Sequence, residues 1–315
     1  MAALRVANGA LATLLRKAQW CQAIDLLRQM PMEKVEPSVV SFNTTVAACA
    51  RGTAWSRSIE LLSVMHKKQV QPNIKTFGAC ISASERASHW TLTVELLRQL
   101  AAAALAPDGP VATSAVSAFG KSRRWQEALF IFSQFSHVKG RGAPNLFVYT
   151  AAVAAVAGTS RWQWALELYT EACGKGLRPD AALAGAAMSA LEGRWQAAAA
   201  FLSDLRRSNV RPGTPLVTAA LGAFGSAWLR GLELFAELRP GLRPDTPLLN
   251  AAIGLCAAGQ AWKLALSLLQ GMLRSGPRPT VESFNAAASA CAAAARWEAC
   301  SHSSAGRWRR PLSRL

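Results

Sequence analysis

The sequence predicts an all-α protein, a right-handed α-solenoid of about nine helix-turn-helix repeats of ~35 residues each. Tryptophan recurs along the chain every 33 to 37 residues, and a proline follows most of these tryptophans after 17 or so residues. Two ladders with one period indicate a single supersecondary unit repeated in tandem, because a solenoid unit buries its apolar face only against its neighbours. The tryptophans are Trp20, Trp55, Trp90, Trp125, Trp162, Trp195, Trp228, Trp262 and Trp297.

Each repeat is predicted to hold two helices, A and B, with a turn after each. In residues 39–73, apolar side chains at helical spacing predict helix A over 40–50, and Gly52 suits its carboxyl end. Helix B is predicted over 55–68 with its tryptophan on the buried face, and Pro72 cannot continue that helix. The predicted units are 4–38, 39–73, 74–108, 109–145, 146–180, 181–213, 214–245, 246–280 and a partial unit, 281–298. A basic tail, 299–315, is predicted to be disordered.

The charge balance indicates a polyanionic partner. The 315 residues hold 35 Lys and Arg against 18 Asp and Glu, a net charge of +17. Such a surplus is typical of proteins that bind nucleic acid or an acidic membrane surface, and the alternative is a surface that only promotes solubility. No apolar run reaches the roughly 18 residues that a membrane span needs, and no amphipathic basic helix with exposed aromatic residues is found, so we expect no membrane partner.

Cysteine and histidine patterns predict no metal site, no cofactor and no catalytic centre. The seven cysteines form no CxxC pair, and the four histidines share no repeat position. Cys49, Cys256 and Cys291 share one position on the apolar side of a helix, where we expect them to be buried. The chain holds no zinc deaminase signature, no phosphate-binding glycine loop and no Ser/His/Asp arrangement in register, so it is not expected to be an enzyme.

Short motifs in the repeats resemble those of a known family. Helix A contains VVSFNTTV (39–46), IKTFGACI (74–81) and LFVYTAAV (146–153), and helix B contains WSRSIELL (55–62). Most units close on Pro followed by Asn or Asp, as in Pro72-Asn73. Over nearly the whole chain these features resemble the pentatricopeptide repeat, in tandem arrays of the type without an appended catalytic domain. The resemblance implies a solenoid that binds single-stranded RNA in an organelle, with one base read per repeat.

In that family the fifth and the last residue of a repeat read the base. The resemblance assigns the reading role to the fifth residues Asn8, Asn43, Gly78, Thr113, Thr150, Gly185, Thr218, Asn250 and Asn285, and to the last residues Ser38, Asn73, Asp108, Asn145, Asp180, Gly213, Asp245 and Thr280. The alternative is that these side chains only cap helices and form turns. Capping alone does not explain a polar fifth residue inside an apolar segment.

The family's pairs imply a target sequence. Thr with Asn favours adenine, Thr with Asp favours guanine, and Asn with Asn or Ser favours pyrimidines. With the amino terminus toward the 5′ end of the RNA, the implied site is Y-Y-n-A-G-n-G-Y. The chain departs from the family at the second residue of each unit, where the family uses an aliphatic side chain to sandwich bases. Here only Val40 is a suitable aliphatic residue, although Phe147 offers a ring that can stack on a base.

A basic ladder is expected to bind the RNA backbone. Arg16, Arg51, Arg86 and Lys121 are spaced 35 residues apart at the end of helix A. A cation repeated in register can follow a phosphate backbone, and the alternative is that it compensates the negative end of the helix dipole.

The function predicted from the sequence is selective binding of single-stranded RNA in organellar RNA processing, stabilisation or translation, in a mitochondrion or a chloroplast. We expect a monomer that recruits RNA-processing proteins. The alternative is a degenerate array that serves as a scaffold for protein interactions. The first 24 residues show no clear transit peptide, because Asn8 and Trp20 already stand in repeat register.

Overall fold

A computed structural model describes residues 2–32, 35–136, 145–159, 161–207, 213–238 and 244–294. Within these ranges every regular element is a helix, and the helices alternate between A and B of successive repeats. This confirms the predicted all-helical repeat fold. The chain divides into two compact parts, residues 1–159 and residues 160–315.

The amino-terminal part holds nine described helices, in which odd numbers denote helix A and even numbers helix B. They are α1 (Ala2–Arg16), α2 (Trp20–Gln29), α3 (Val39–Arg51), α4 (Trp55–Lys67), α5 (Ile74–Arg86), α6 (Trp90–Ala102), α7 (Gly109–Lys121), α8 (Trp125–Ser136) and α9 (Leu146–Ala157). In the described carboxy-terminal part the alternation continues. Its helices are α10 (Trp162–Gly174), α11 (Ala181–Ser189), α12 (Trp195–Arg207), α13 (Thr214–Ala223), α14 (Trp228–Leu238), α15 (Thr246–Ala258), α16 (Trp262–Ser275) and α17 (Val281–Ala293).

Stacking of successive A helices forms the core of each part. α1, α3, α5, α7 and α9 pack in series, as do α11, α13, α15 and α17. Phe42, Phe77 and Tyr149, each the fourth residue of its unit, are almost wholly buried. Buried side chains on both sides of helix A explain why its sequence is apolar nearly all round, whereas helix B has a polar face.

The turn between helices A and B begins at Gly52, which lies at the carboxyl end of helix A as predicted. Gly52 ends helix A at an ordinary φ of −83°, and the left-handed residue is Thr53, at φ 61°. Glycine is required at position 52 because a Cβ atom there would collide with the Trp20 ring of the preceding repeat. Trp228 restricts Gly259 in the same way.

The tryptophan ladder was predicted to be buried core, but the eight described members are only partly buried. Each begins a helix B, and residues of the next repeat contact the rings of Trp20, Trp55, Trp90, Trp162, Trp195 and Trp228. The His89 ring lies 4.4 Å from that of Trp55, and the Arg124 guanidinium lies 3.6 Å above the ring of Trp90. The tryptophans therefore bridge repeats at the edge of the core, where cation–π contacts stabilise them.

Candidate nucleic-acid interface

The last residue of each described repeat is the N-cap of the next helix A. Asp108 accepts a hydrogen bond from the backbone N–H of Val111 at 3.1 Å, and Asp245 accepts one from Leu248 at 3.0 Å. Asn145 and Asp180 cap α9 and α11 in the same way, whereas Gly213 has no side chain to offer. The capping interpretation is therefore correct for these side chains. The cap uses only the Oδ1 atom, however, so Oδ2 of each Asp and the Nδ2 group of Asn145 remain available to another partner.

The threonines at the fifth position share one geometry. The hydroxyls of Thr113, Thr150 and Thr218 each donate to the carbonyl four residues earlier, at 2.8 Å. Since a hydroxyl has a single proton, each oxygen then offers only lone pairs to a further partner. A half-buried threonine at this position is thus an acceptor.

The asparagines at the fifth position have the opposite polarity. Asn43 Oδ1 accepts a 2.5 Å hydrogen bond from the Thr76 hydroxyl, and Asn8 Oδ1 accepts one of 2.7 Å from Ser41. Asn250 accepts in the same way from Ser283, at 2.6 Å. With its oxygen engaged, each carboxamide offers the N–H groups of Nδ2 to other partners.

The structure brings the predicted pair Asn43 and Asn73 into direct contact. Asn43 Nδ2 donates to Asn73 Oδ1 at 3.1 Å, so the fifth and last residues of that repeat are in direct contact. Thr113 and Asn145 both approach Gly109: Thr113 donates to its carbonyl, and a Cβ atom at Gly109 would lie 3.0 Å from Asn145 Nδ2. A larger residue at 109 would displace the carboxamide, so the small residue there makes room for Asn145.

The chain resembles known proteins in sequence and in fold. Residues 25–85 match the family model described as the pentatricopeptide repeat domain. The crystal structure of the pentatricopeptide repeat protein PPR10 from maize has a TM-score of 0.59 and 18% identity, covering 97% of this chain and 54% of that one. PPR10 in complex with an 18-nt psaJ RNA element has a TM-score of 0.55 and 18% identity, covering 96% and 48%.

The chain has the fold of pentatricopeptide repeat proteins, and residues 25–85 match that family in sequence. It spans about half the length of the solved proteins it resembles. No curated protein sequence matches it significantly.

The hydrogen-bond polarity of the predicted pairs divides them into three classes. Thr218 with Asp245 leaves only acceptors, Thr113 with Asn145 leaves an acceptor beside an amide donor, and Asn43 with Asn73 leaves amide donors. The acceptor pair is complementary to the N1–H and N2–H groups of guanine. The mixed pair is complementary to the N1 acceptor and N6 donor of adenine, and the donor pair to the O2 carbonyl of a pyrimidine.

Other predicted reading positions offer less. Gly78 and Gly185 have no side chain, and Asn285 is exposed on α17 in the last described helix. Ser38 and Thr280 begin capping boxes with Ser41 and Ser283. The tail 299–315 and Trp297 lie outside the described residues.

The four predicted backbone-binding cations are exposed at the ends of their A helices, but they differ in surroundings. Lys121 Nζ lies 3.1 Å from Glu85 Oε1, and the Arg86 guanidinium donates to the carbonyls of Ala50 and Arg51 at 3.4 Å. Arg86 thus lies at the carboxyl end of the preceding helix A, as the helix-dipole alternative requires. Neither Arg16 nor Arg51 forms a side-chain ion pair in the part of the chain that the structure describes.

The buried hydroxyls of Ser41, Thr76 and Ser283 were not predicted as part of the site. All three are fully buried, at the third position of their units. A signal was present in the sequence, because a hydroxyl replaces the usual aliphatic residue at this position directly after a repeat with Asn at its fifth position. Among the described residues, no cluster of His, Cys, Asp and Glu could hold a metal ion, and no helix is long and apolar enough to cross a membrane.

Proposed function

We propose that this chain binds single-stranded RNA and reads one base with each repeat that carries a polar pair. The observation that carries the proposal is the contact of Asn43 with Asn73, which joins the fifth and last residues of one repeat into a single hydrogen-bonding edge. An edge used only for capping would not need the fifth residue. The net charge of +17 supplies the attraction to a polyanion.

The polarity of the pairs supports the order of bases in the proposed site Y-Y-n-A-G-n-G-Y. Thr218 with Asp245 offers two acceptors and favours guanine at the seventh base. Thr113 with Asn145 favours adenine at the fourth base, and Asn43 with Asn73 favours a pyrimidine at the second. We assign guanine at the fifth base from Thr150 and Asp180 by the same chemistry. Each well-formed pair is expected to contribute about 1–3 kcal/mol of discrimination.

We infer that the protein acts by occupying RNA rather than by chemistry of its own. A bound solenoid can shield a transcript from nucleases, keep a hairpin open or recruit a processing enzyme. The solved structure of PPR10 with an RNA element supports the choice of RNA as ligand. Family resemblance supports an organellar transcript as the target.

Selection of the purified full chain against a randomised RNA pool tests the proposal. The expected result is an enriched single-stranded motif with A-G at its centre and G two bases further on. Binding should weaken with salt at a log–log slope of about −0.7 per phosphate contacted. A matching RNA annealed to its complement is the control and should bind far less tightly. Enrichment of another motif would overturn the base assignment, and absence of RNA binding would leave a protein-interaction scaffold as the function.

A further inference from the structure

The third residue of a repeat touches the base-reading asparagine of the repeat before it. Ser41 donates to Asn8, and Thr76 donates to Asn43. In the carboxy-terminal part Ser283 donates to Asn250. These hydroxyls are fully buried, so they do not face a ligand themselves.

A capping box determines which way each of these hydroxyls points. The backbone N–H of Asn73 donates to Thr76 Oγ1 at 3.1 Å, and that of Thr280 donates to Ser283 Oγ at 3.0 Å. Ser41 Oγ likewise accepts from the N–H of Ser38, at 3.2 Å. An oxygen that accepts from the backbone keeps its own proton free for a nearby acceptor. For Thr76 the nearer acceptor is Asn43 Oδ1, at 2.5 Å, whereas Asn73 Oδ1 lies 3.2 Å away. The carboxamide must then turn its Nδ2 group away from the hydroxyl.

The third residue varies together with the fifth residue of the preceding repeat. After Asn at the fifth position the next third residue carries a hydroxyl, and after Thr or Gly it is aliphatic. The pairs are Asn8 with Ser41, Asn43 with Thr76, Asn250 with Ser283, Gly78 with Val111, Thr113 with Val148, Thr150 with Leu183, Gly185 with Leu216 and Thr218 with Leu248. A threonine needs no such partner, because its proton already goes to its own helix.

We propose that the third residue of the following repeat is a specificity-determining positioning residue, whose buried hydroxyl holds the fifth-position asparagine with its amide donors toward the base. This inference rests on the proposed RNA-binding function. Without the hydroxyl, the Asn43 carboxamide loses one of the two side-chain hydrogen bonds that orient it and keeps only the one to Asn73. It can then rotate more easily about its last torsion and present an oxygen in place of an N–H group. The repeat would then lose its preference for pyrimidines while it kept its fold.

The fourth repeat offers a test by gain of function. The substitution Thr113→Asn makes its pair identical to Asn43 with Asn73, but the following third residue is Val148 instead of a threonine. We expect T113N to lose the preference for adenine at the fourth base without gaining one for pyrimidines. T113N/V148T should gain a pyrimidine preference of about tenfold, since valine and threonine are nearly isosteric and one good base contact contributes that much. V148T alone is the matched control and should still prefer adenine.

Loss of function in the second repeat provides an independent measurement. T76V should reduce the discrimination between pyrimidine and purine at the second base to less than about threefold, and T76S should retain it. The readout is the ratio of dissociation constants for RNAs that differ only in that base, because a general loss of stability would weaken all of them equally. Circular dichroism establishes that each variant is folded at the temperature of the binding assay.

The outcomes separate this inference from the proposed function. If wild-type protein selects the predicted bases and T113N reads pyrimidines as well as T113N/V148T does, the inference is wrong and the function stands. Unchanged discrimination by T76V would lead to the same conclusion. If wild-type protein binds no RNA or shows no base preference, the proposed function fails and the inference fails with it.

Discussion

Asn43 donates from Nδ2 to Oδ1 of Asn73 across 3.1 Å, although 30 residues separate them in the chain. The same Asn73 oxygen accepts from the backbone N–H groups of Lys75 and Thr76 and thereby caps α5. One oxygen atom thus serves both the fold and the candidate site. The remaining N–H groups of both carboxamides form a donor edge, and this polarity leads to predictions for other repeats.

Exchange of one side-chain atom should exchange the base that a repeat reads. Asp245→Asn replaces Oδ2 with an amide donor and makes the pair with Thr218 equal to that of Thr113 with Asn145. The expected preference at the seventh base changes from guanine to adenine by about tenfold. Asn145→Asp should produce the opposite change at the fourth base. Because both variants keep the Oδ1 atom that caps the helix, their thermal stability should equal that of the wild-type protein, which serves as the control. An unchanged base preference would refute the assignment.

The predicted phosphate ladder should depend on the environment of each cation. Arg51→Gln removes an exposed charge without an ion pair among the described residues, so binding should weaken for all sequences and the salt slope should fall by about 0.7. Lys121→Gln removes a charge that Glu85 already neutralises in part, and we expect a smaller effect. The measurement is affinity as a function of salt for both variants. A larger loss with Lys121→Gln would show that its ion pair opens on binding.

The glycine beneath the tryptophan ring should be intolerant of substitution. Gly52→Ala would force a methyl group into Trp20, and overpacking of this kind costs about 1–3 kcal/mol. Gly158 directly follows its helix A, α9, as Gly52 follows α3, but has nothing within 4 Å of a Cβ atom, so Gly158→Ala is the matched control. The midpoint of urea unfolding should fall for the first variant and stay within error for the second. Equal effects would mean that the close contact with tryptophan is unimportant.

Cysteine reactivity should follow burial. Desolvation raises the pKa of Cys49 and Cys256 to about 11 and that of Cys80 to about 12, whereas Cys21 and Cys173 are exposed. At pH 8 the buried thiols hold few thiolate ions, so alkylation followed by peptide mass spectrometry should label Cys21 and Cys173 first. Urea should abolish the difference, and rapid labelling of Cys80 in the folded protein would contradict the packing of α5.

Much of the fold could be predicted because the same pattern recurs in successive repeats, so a helix or turn that is uncertain in one repeat is supported by the others. In residues 39–73, apolar spacing placed helix A over 40–50, and the structure has α3 over Val39–Arg51. A single unit would have left the turn uncertain, but a tryptophan and a proline at the same offset in successive units mark both turns. The place of the tryptophans could not be predicted this way, because periodicity shows which face is apolar and does not show that the edge of the next repeat covers it only in part.

The polar positions were predictable, but their roles were not. Asn73 looked either like a cap or like a base reader, and the sequence offered no reason to choose, since both roles need a small polar side chain. Its contacts show that Oδ1 caps while the amide stays available. The sequence shows that Thr76 replaces an aliphatic residue, but only the structure shows why, because its hydroxyl lies next to Asn43 of the preceding repeat.

The sequence by itself determined the repeat length, the all-helical class and the positions that carry polar side chains, because these follow from local periodicity and from residues that start or end helices. Only the tertiary structure decided which atoms of those side chains remain available to a ligand. That availability depends on hydrogen bonds between residues about 30 positions apart, such as Asn43 with Asn73 and with Thr76. These contacts form only when one helix A packs on the next, because packing brings the end of one repeat beside the start of another.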